Sequence, residues 1–328
     1  MMFLLFLVAL EILLRVSGFF NTWDERINGA YQYKYGQVAE SWFHTWPKNE
    51  TISYGGDEFT YQNHYNDLGH RDINFKDFKE KTQASKYIFL GDSFTEGDGA
   101  PWDSTWVKTF ENRARSQIDS NMLAYNAGVC GSDIFFNYIM LKENLLQAKP
   151  KVVFECVNIS DVMDVYYFGG LERFQEDGTT KSREPIKWEP VFKYSHVFRL
   201  IVVVFTPYNR RLTNEATIDQ DEAQIVEDIA AQIKLTHSLC AESDIDYYLI
   251  YMPTPECKQN FNRCQFDSLP SLLHGQVPVI DIFPCIQGKL TCENLYEYSW
   301  ERNRHYNSKG YDLMGECIFE EFVKLTVK

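Results

Sequence analysis

Two residues far apart in the chain have the types and settings that acyl transfer needs. Ser93 follows Gly91-Asp92, directly after the apolar run Tyr87-Ile88-Phe89-Leu90, and Gly97 and Gly99 come shortly after it. His305 lies in Trp300-Glu301-Arg302-Asn303-Arg304-His305-Tyr306-Asn307-Ser308-Lys309-Gly310-Tyr311, just ahead of a helical pattern over 313–323. A serine hydroxyl is a weak nucleophile until a base takes its proton. A histidine can take that proton and later give it to the leaving group. Together the two residues would attack an ester carbonyl and form an acyl-serine. The plainer reading of each is a turn residue, since Asp and Ser favour turns and helix caps in any case.

The elements around them suit that chemistry. The run before Ser93 reads as a buried parallel strand, and open α/β sheets bind ligands at the carboxyl ends of their strands. The turn is not the Gly-x-Ser-x-Gly elbow of α/β-hydrolases. It is not a phosphate loop either, because no Lys or Arg lies between Lys86 and Lys108. Further strands are predicted at 122–126, 151–157, 246–252 and 277–282, with helical spacing over 106–116, 134–146 and 222–239 between them. A short strand is expected over Glu58-Phe59-Thr60-Tyr61-Gln62. Alternating strands and helices predict parallel βαβ units with right-handed crossovers.

Gly91-Asp92-Ser93-Phe94, Asn126-Ala127-Gly128, Asn158-Ile159-Ser160-Asp161 and His305-Tyr306-Asn307 resemble, in that order, the four signature blocks of the SGNH (GDSL) hydrolases. The resemblance implies a three-layer, flavodoxin-like fold with about five parallel strands flanked by helices. It implies a serine esterase with Ser93 as nucleophile and His305 as base. Gly128 N–H and the side chain of Asn158 or Ser160 would hold the oxyanion together with Ser93 N–H, and Asp92 and Asp161 would support them. The family's third block is Gly-x-Asn-Asp, which this chain matches imperfectly, so Asn158 and Ser160 both remain open. The family's orienting acid usually stands two or three residues before the histidine, where this chain has Asn303 and Arg302. That leaves Glu301, Asn303 or a backbone carbonyl to orient the ring. The segment Asn66-Asp67-Leu68-Gly69-His70-Arg71-Asp72 also looks like the leader of membrane-anchored members, although a packing arm is the preferred reading.

Composition bounds the rest. The 328 residues are 45% hydrophobic and 16% aromatic, which suits a globular core. A net charge of −14 without a basic run argues against nucleic acid and anionic membrane surface as partners. None of the eight cysteines forms a Cys-x-x-Cys pair, and His44, His64 and His70 lack ligand-like spacing. No metal and no other cofactor is expected. Cys130 and Cys156 read as core residues. Cys257, Cys264, Cys285 and Cys292 lie in loop-like segments where disulfides can form in an oxidising compartment.

The organisation expected is an apolar anchor or signal segment at 1–20, an aromatic-rich leader arm at 21–84, and a hydrolase domain at 85–328 with an insertion at about 163–219. Within that insertion 198–205 reads as a buried helix. In the anchor, Glu11 and Arg15 are spaced to pair on one helix face. The setting expected is membrane-anchored or exported, with the catalytic domain extracytoplasmic. The substrate expected is a small-molecule or carbohydrate O-acyl ester, on family grounds. Two further readings stand beside hydrolysis. One is acyl transfer through the same serine. The other is a binding protein that kept the pocket and lost the acid. A flavodoxin-like nucleotide binder is disfavoured, because the acidic loop 92–98 would repel phosphate.

Overall fold

The structure is a computed structural model, and it describes residues 2–19, 46–168, 170–171, 174, 191, 194–205, 215–255, 268–273 and 275–326. His44, Cys257, Cys264 and much of the 163–219 insertion lie outside the described residues. The chain divides into two compact units, Met1–His44 with Phe174–Ala223, and Thr45–Arg173 with Gln224–Lys328. This division falls inside the stretch read as a leader arm.

The larger unit is built on five strands, β3 (Ser85–Leu90), β4 (Met122–Asn126), β5 (Val152–Val157), β6 (Asp246–Tyr251) and β7 (Val279–Asp281). Every pairing is parallel, and the order across the sheet is β4-β3-β5-β6-β7. Counted within this sheet the order is 2-1-3-4-5, the flavodoxin-like doubly wound arrangement. β5 is buried along its whole length, as a strand covered on both faces must be.

Alternate residues serve the two faces. Tyr87, Phe89, Phe154, Cys156 and Ile250 pack with Trp106 and Phe110 of α3 (Trp106–Gln117) and with Met314, Ile318 and Phe322 of α8 (Ser308–Thr326). Phe154 is central there. It stacks on Phe89 at 4.7 Å and meets Phe110 and Phe322 edge-on at 5.2 Å each. The opposite face carries Ile88, Val153, Glu155, Tyr247 and Leu249, with the His237 ring of α7 (Glu215–Glu242) 5.7 Å from Tyr247. The remaining labelled helices are α2 (Ser93–Glu96), α4 (Ile134–Glu143) and α5 (Ser160–Phe168) in this unit, and α1 (Met2–Val16) and α6 (His196–Phe205) in the other.

A second, two-stranded antiparallel sheet joins β1 (Glu50–Gly55) to β2 (Thr60–Tyr65). The strand expected over 58–62 therefore begins later. The turn-forming Gly55-Gly56-Asp57 run places Glu58 and Phe59 in the hairpin connection, closed by Gly56 N–H donating to Phe59 O at 2.8 Å. The Asn66–Asp72 segment is a packing arm. Asn66 Nδ2 donates to Tyr125 OH at 2.9 Å, and Asp72 Oδ2 accepts from Asn126 N at 2.6 Å. His70 Nδ1 lies 2.8 Å from Tyr125 OH, and burial holds this imidazole down to about 3.

In the smaller unit, Glu11 of α1 pairs with Arg15 at 2.7 Å. It also accepts from His196 N and Val197 N at the start of α6, at 3.0 and 2.9 Å. The 198–205 run is helical and buried in part: Arg199 and Val202 are buried, while its end is open. Val204 and Phe205 are 60% and 78% exposed. No helix among the described residues is long and apolar enough to cross a membrane. The disulfide found is Cys285–Cys317, which ties the short helix Phe283–Ile286 to α8. Cys292 is disulfide-bonded as well, so the neighbours Cys285 and Cys292 do not pair with each other. α8 folds back beside Cys285, whereas sequence spacing sees only proximity along the chain.

Glu155 is the one charged residue type inside β5. Burial pushes its carboxyl up to about 7, against a usual 4.5, with Tyr247 OH donating to it at 2.5 Å. The folded chain therefore holds this proton more tightly than the unfolded chain. The resulting stabilisation is complete below about pH 4.5 and is lost as pH rises through about 7. Glu155→Gln should flatten that fall, a difference of about 3 kcal/mol across the window. Urea unfolding of both proteins over this pH range measures it.

Candidate active site

β3 ends at Leu90, and the chain turns at once into α2. Asp92 caps α2, its Oδ1 accepting from Phe94 N at 2.9 Å, so Ser93 is the first helical residue. The helix stops after one turn because Gly97 takes a left-handed conformation, φ 89°, and Gly97 N and Asp98 N both donate to Ser93 O at 2.9 Å. Ser93 is thus fixed at the carboxyl end of β3, beside β5. That is the switch point where the sheet order reverses, and where open α/β sheets bind ligands. Ser93 keeps 8% of its surface exposed.

His305 reaches the same point from the loop ahead of α8. Its Nε2 lies 2.8 Å from Ser93 Oγ, and its ring packs on Phe94 at 4.7 Å between centroids. The loop is held at both ends. Trp300 N donates to His305 O at 2.9 Å, and Trp300 Nε1 to Gly99 O at 2.7 Å. Glu58 of the hairpin accepts from Arg302 N and Asn303 N at 3.0 and 2.8 Å. Asn303 Oδ1 in turn sits 2.8 Å from His305 Nδ1. If Nδ1 carries the ring proton, as this acceptor favours, Nε2 is left free to take the serine proton.

The other residues singled out in the sequence divide. Asn158 and Ser160, at the end of β5, do meet Asp92. Asn158 Nδ2 donates to Asp92 Oδ2 at 2.9 Å, and the Ser160 hydroxyl lies 2.8 Å from the same oxygen and 2.6 Å from Asn158 Oδ1. Ser160 has one proton to give, and both its neighbours are acceptors, so it braces Asp92 and Asn158. Asn158 Nδ2 keeps a second proton, and Ser93 N–H has no acceptor among the described residues. Asp161 accepts from Asn158 N at 2.8 Å. Burial, aided by the charge of Asp92, pushes the Asp161 carboxyl well above the usual range.

Gly128 and Glu301 take different places from those expected. Gly128 N–H donates to Asn126 Oδ1 at 3.0 Å and so is committed. The need for glycine here is steric, since a Cβ would collide with Glu96 N and Thr95 C of α2. Glu301 is exposed in its turn and makes no ion pair with the ring. The carboxylate near Nδ1 is Asp98, with Oδ2 at 3.5 Å. Sequence reading missed Asp98, which lies between two glycines in a loop weighed only for its repulsion of phosphate. It missed Tyr54, whose hydroxyl donates to Asp98 Oδ2 at 3.1 Å, and Glu58 as well. It also missed buried Arg71, whose guanidinium donates to Gly97 O at 2.9 Å and Ala100 O at 2.6 Å, on either side of Asp98. Among the described residues no cluster of His, Cys, Asp and Glu is placed to hold a metal ion.

No protein-family model matches the chain, and no curated protein matches it. Solved structures do. A lipolytic protein of the G-D-S-L family from Desulfitobacterium hafniense is 14% identical, over 72% of this chain and 99% of its own, with a TM-score of 0.40. A psychrotrophic esterase from Pseudoalteromonas sp. is 12% identical, over 74% and 100%, at 0.43. An acetyl xylan esterase is 14% identical, over 72% and 98%, at 0.42. Likeness at this level carries no argument about chemistry, which rests on the atoms of the site.

Arg71 is the clamp on the loop behind Ser93. Arg71→Ala would strand the carbonyls of Gly97 and Ala100 and should lower stability by about 2–4 kcal/mol. Arg71→Lys, with a point charge in place of a fork, should recover only part of this. Chemical denaturation of the three proteins gives both differences.

Proposed function

We propose that the protein is a serine ester hydrolase. The observation that carries this reading is the 2.8 Å contact of His305 Nε2 with Ser93 Oγ. Ser93 Oγ attacks the ester carbonyl carbon as its proton passes to His305 Nε2. The imidazolium keeps its Nδ1 proton on Asn303 Oδ1. Charge gathering on the carbonyl oxygen is met by Ser93 N–H and by the spare proton of Asn158 Nδ2, donors fixed before the reaction begins. Collapse of the tetrahedral intermediate expels the alcohol, which takes the proton from His305. Water then attacks the acyl-serine with His305 again as base, releasing the acid and restoring Ser93.

The reading extends to a carbohydrate O-acyl ester as substrate. Beside the histidine loop runs a cleft of about 280 Å³ lined by Tyr54, Asp57, Glu58, Phe59, Arg302 and Asn303. Aromatic faces next to a few polar groups and bared glycine backbone suit a polyhydroxylated ring. We further infer an exported setting. Disulfides such as Cys285–Cys317 persist in oxidising compartments. The exposed Leu5, Phe6, Leu13 and Val16 of α1 support association of residues 1–20 with lipid.

The full chain in mild detergent should hydrolyse p-nitrophenyl acetate and release acetate from acetylated oligosaccharides. Ser93→Ala and His305→Ala should each lose at least about 10³-fold in kcat/KM while staying folded. A fluorophosphonate should label the parent at Ser93. Undiminished turnover in folded Ser93→Ala would remove the reading. A folded parent that neither turns over nor takes the label would favour the binding-protein alternative.

A further inference from the structure

Nδ1 of His305 faces two acceptors of Asn303, its Oδ1 and its backbone carbonyl at 3.2 Å, and beyond them a carboxylate oxygen of Asp98. Asn303 Oδ1, at 2.8 Å, is the nearest, but it is neutral. Asp98 Oδ2, at 3.5 Å, is too far to be a good hydrogen-bond partner, yet it belongs to a carboxylate whose side chain is only 4% exposed. We propose that Asn303 and Asp98 divide the work of a triad acid. Asn303 fixes the ring's tautomer through its hydrogen bond. Asp98 is a positioning residue whose charge balances the imidazolium formed when Ser93 gives up its proton. This rests on the Ser93–His305 reading of the preceding subsection.

Three features support the division. First, Asp98 is held as firmly as Ser93. Its N–H donates to Ser93 O at 2.9 Å, and its carbonyl accepts from Tyr311 OH at 2.8 Å. Second, its carboxylate is under-satisfied. Oδ2 accepts from Tyr54 OH at 3.1 Å, and Oδ1 has no partner among the described residues. Third, no lysine or arginine among the described residues pairs with it; the nearby Arg71 gives Nη1 and Nη2 to the flanking carbonyls rather than to this carboxylate. A buried carboxylate without a cation is costly unless a positive charge arrives. The reaction supplies one. The serine proton moves to Nε2, the ring's new charge spreads over both nitrogens, and the leaving alkoxide later removes that proton. Asp98 itself exchanges no proton.

The titratable and charged groups around the ring are few. Asp98 and Asp92 flank Ser93, with Tyr54 reaching Asp98 from β1. Glu58 in the hairpin holds the backbone of Arg302 and Asn303. On the ring's own loop, Glu301 and Arg304 are exposed, and exposed Arg302 pairs with Asp57. Asp98 is the nearest of the charges.

The full chain tests this by NMR titration of the His305 imidazole, its resonance assigned by its loss in His305→Gln. Asp98→Asn should lower the imidazole's titration midpoint by about one pH unit. It should also lower kcat for p-nitrophenyl acetate by about 10²–10³-fold, with KM little changed. That loss is smaller than the ~10⁴-fold reported for Asp→Asn within a trypsin-like triad, because the Asn303 contact survives. Asp98→Asn combined with Asn303→Asp, which returns a carboxylate to Nδ1, should recover at least about tenfold. A folded Asp98→Asn with an unmoved midpoint, or with kcat within about threefold of the parent, overturns the proposal. Should that variant not fold, Tyr54→Phe decides. Removing the hydroxyl donor leaves Asp98 Oδ2 freer to act on the ring, so the midpoint should rise, and an unmoved midpoint overturns the proposal. If the parent hydrolyses no ester and takes no label, the esterase reading has failed, and the titration still shows whether the Asp98 charge acts on His305.

Discussion

The buried carboxylate of Asp92 is the constraint on which the site depends. One oxygen accepts from Phe94 N and so starts α2 at Ser93. The other accepts from Asn158 Nδ2 and lies beside the Ser160 hydroxyl, at the end of the neighbouring strand. A single side chain therefore sets the helix register that aims Ser93 and ties together the two strand ends between which the doubly wound sheet opens. The cost of burying this charge is offset by three donors, and charge-assisted hydrogen bonds are the stronger kind. Each donor must then stay where it is, which is why Ser160 and Asn158 are committed to structure as much as to chemistry.

A second constraint comes from the chain ahead of β3. Trp46 Nε1 and Tyr65 OH both donate to buried Glu96, at 3.0 Å each. Arg71 donates to the carbonyls around Asp98, Tyr54 to Asp98 itself, and Glu58 accepts from the backbone that carries Asn303. Residues 46–72 thus act as a brace on both halves of the site, the serine turn and the histidine loop.

Much of this was legible in the sequence for a physical reason. Parallel strands buried on both faces are written as apolar runs, so β3 through β6 were placed within a residue or two. β7 was read longer than it is. Ser93 and His305 stand in turns whose neighbours are themselves distinctive. What escaped reading depends on contacts across the fold. Gly128 looked like a donor because glycine suits a close approach, and nothing in the sequence shows that its N–H is claimed by Asn126 two residues earlier or that its missing Cβ makes room for α2. Glu301 is near His305 in sequence but points to solvent. Asp98 is 207 positions away in the chain yet faces the ring, because α2 lasts a single turn. The 198–205 run illustrates the limit of hydrophobicity as a guide, since it forms a helix that buries Val202 yet leaves Ile201, Val204 and Phe205 exposed.

The charge pattern of the serine turn also explains why a residue other than a neighbour of His305 can serve the ring. Asp92, Glu96 and Asp98 lie within seven residues, and all three are buried. Burial raises the Glu96 carboxyl, opposed by the Trp46 and Cys130 N–H donors and the charge of Arg71. Asp92 is met by neutral donors alone among its hydrogen bonds. The site is thus built with its negative charge held largely by dipoles, and dipoles stabilise a carboxylate without cancelling its field on a nearby group. A histidine placed against such a turn sees a standing negative potential before it takes a proton. A carboxylate in direct hydrogen bond to Nδ1 is one way to create that potential. A rigid acidic turn a little farther off, with the neutral amide of Asn303 to fix the tautomer, is another.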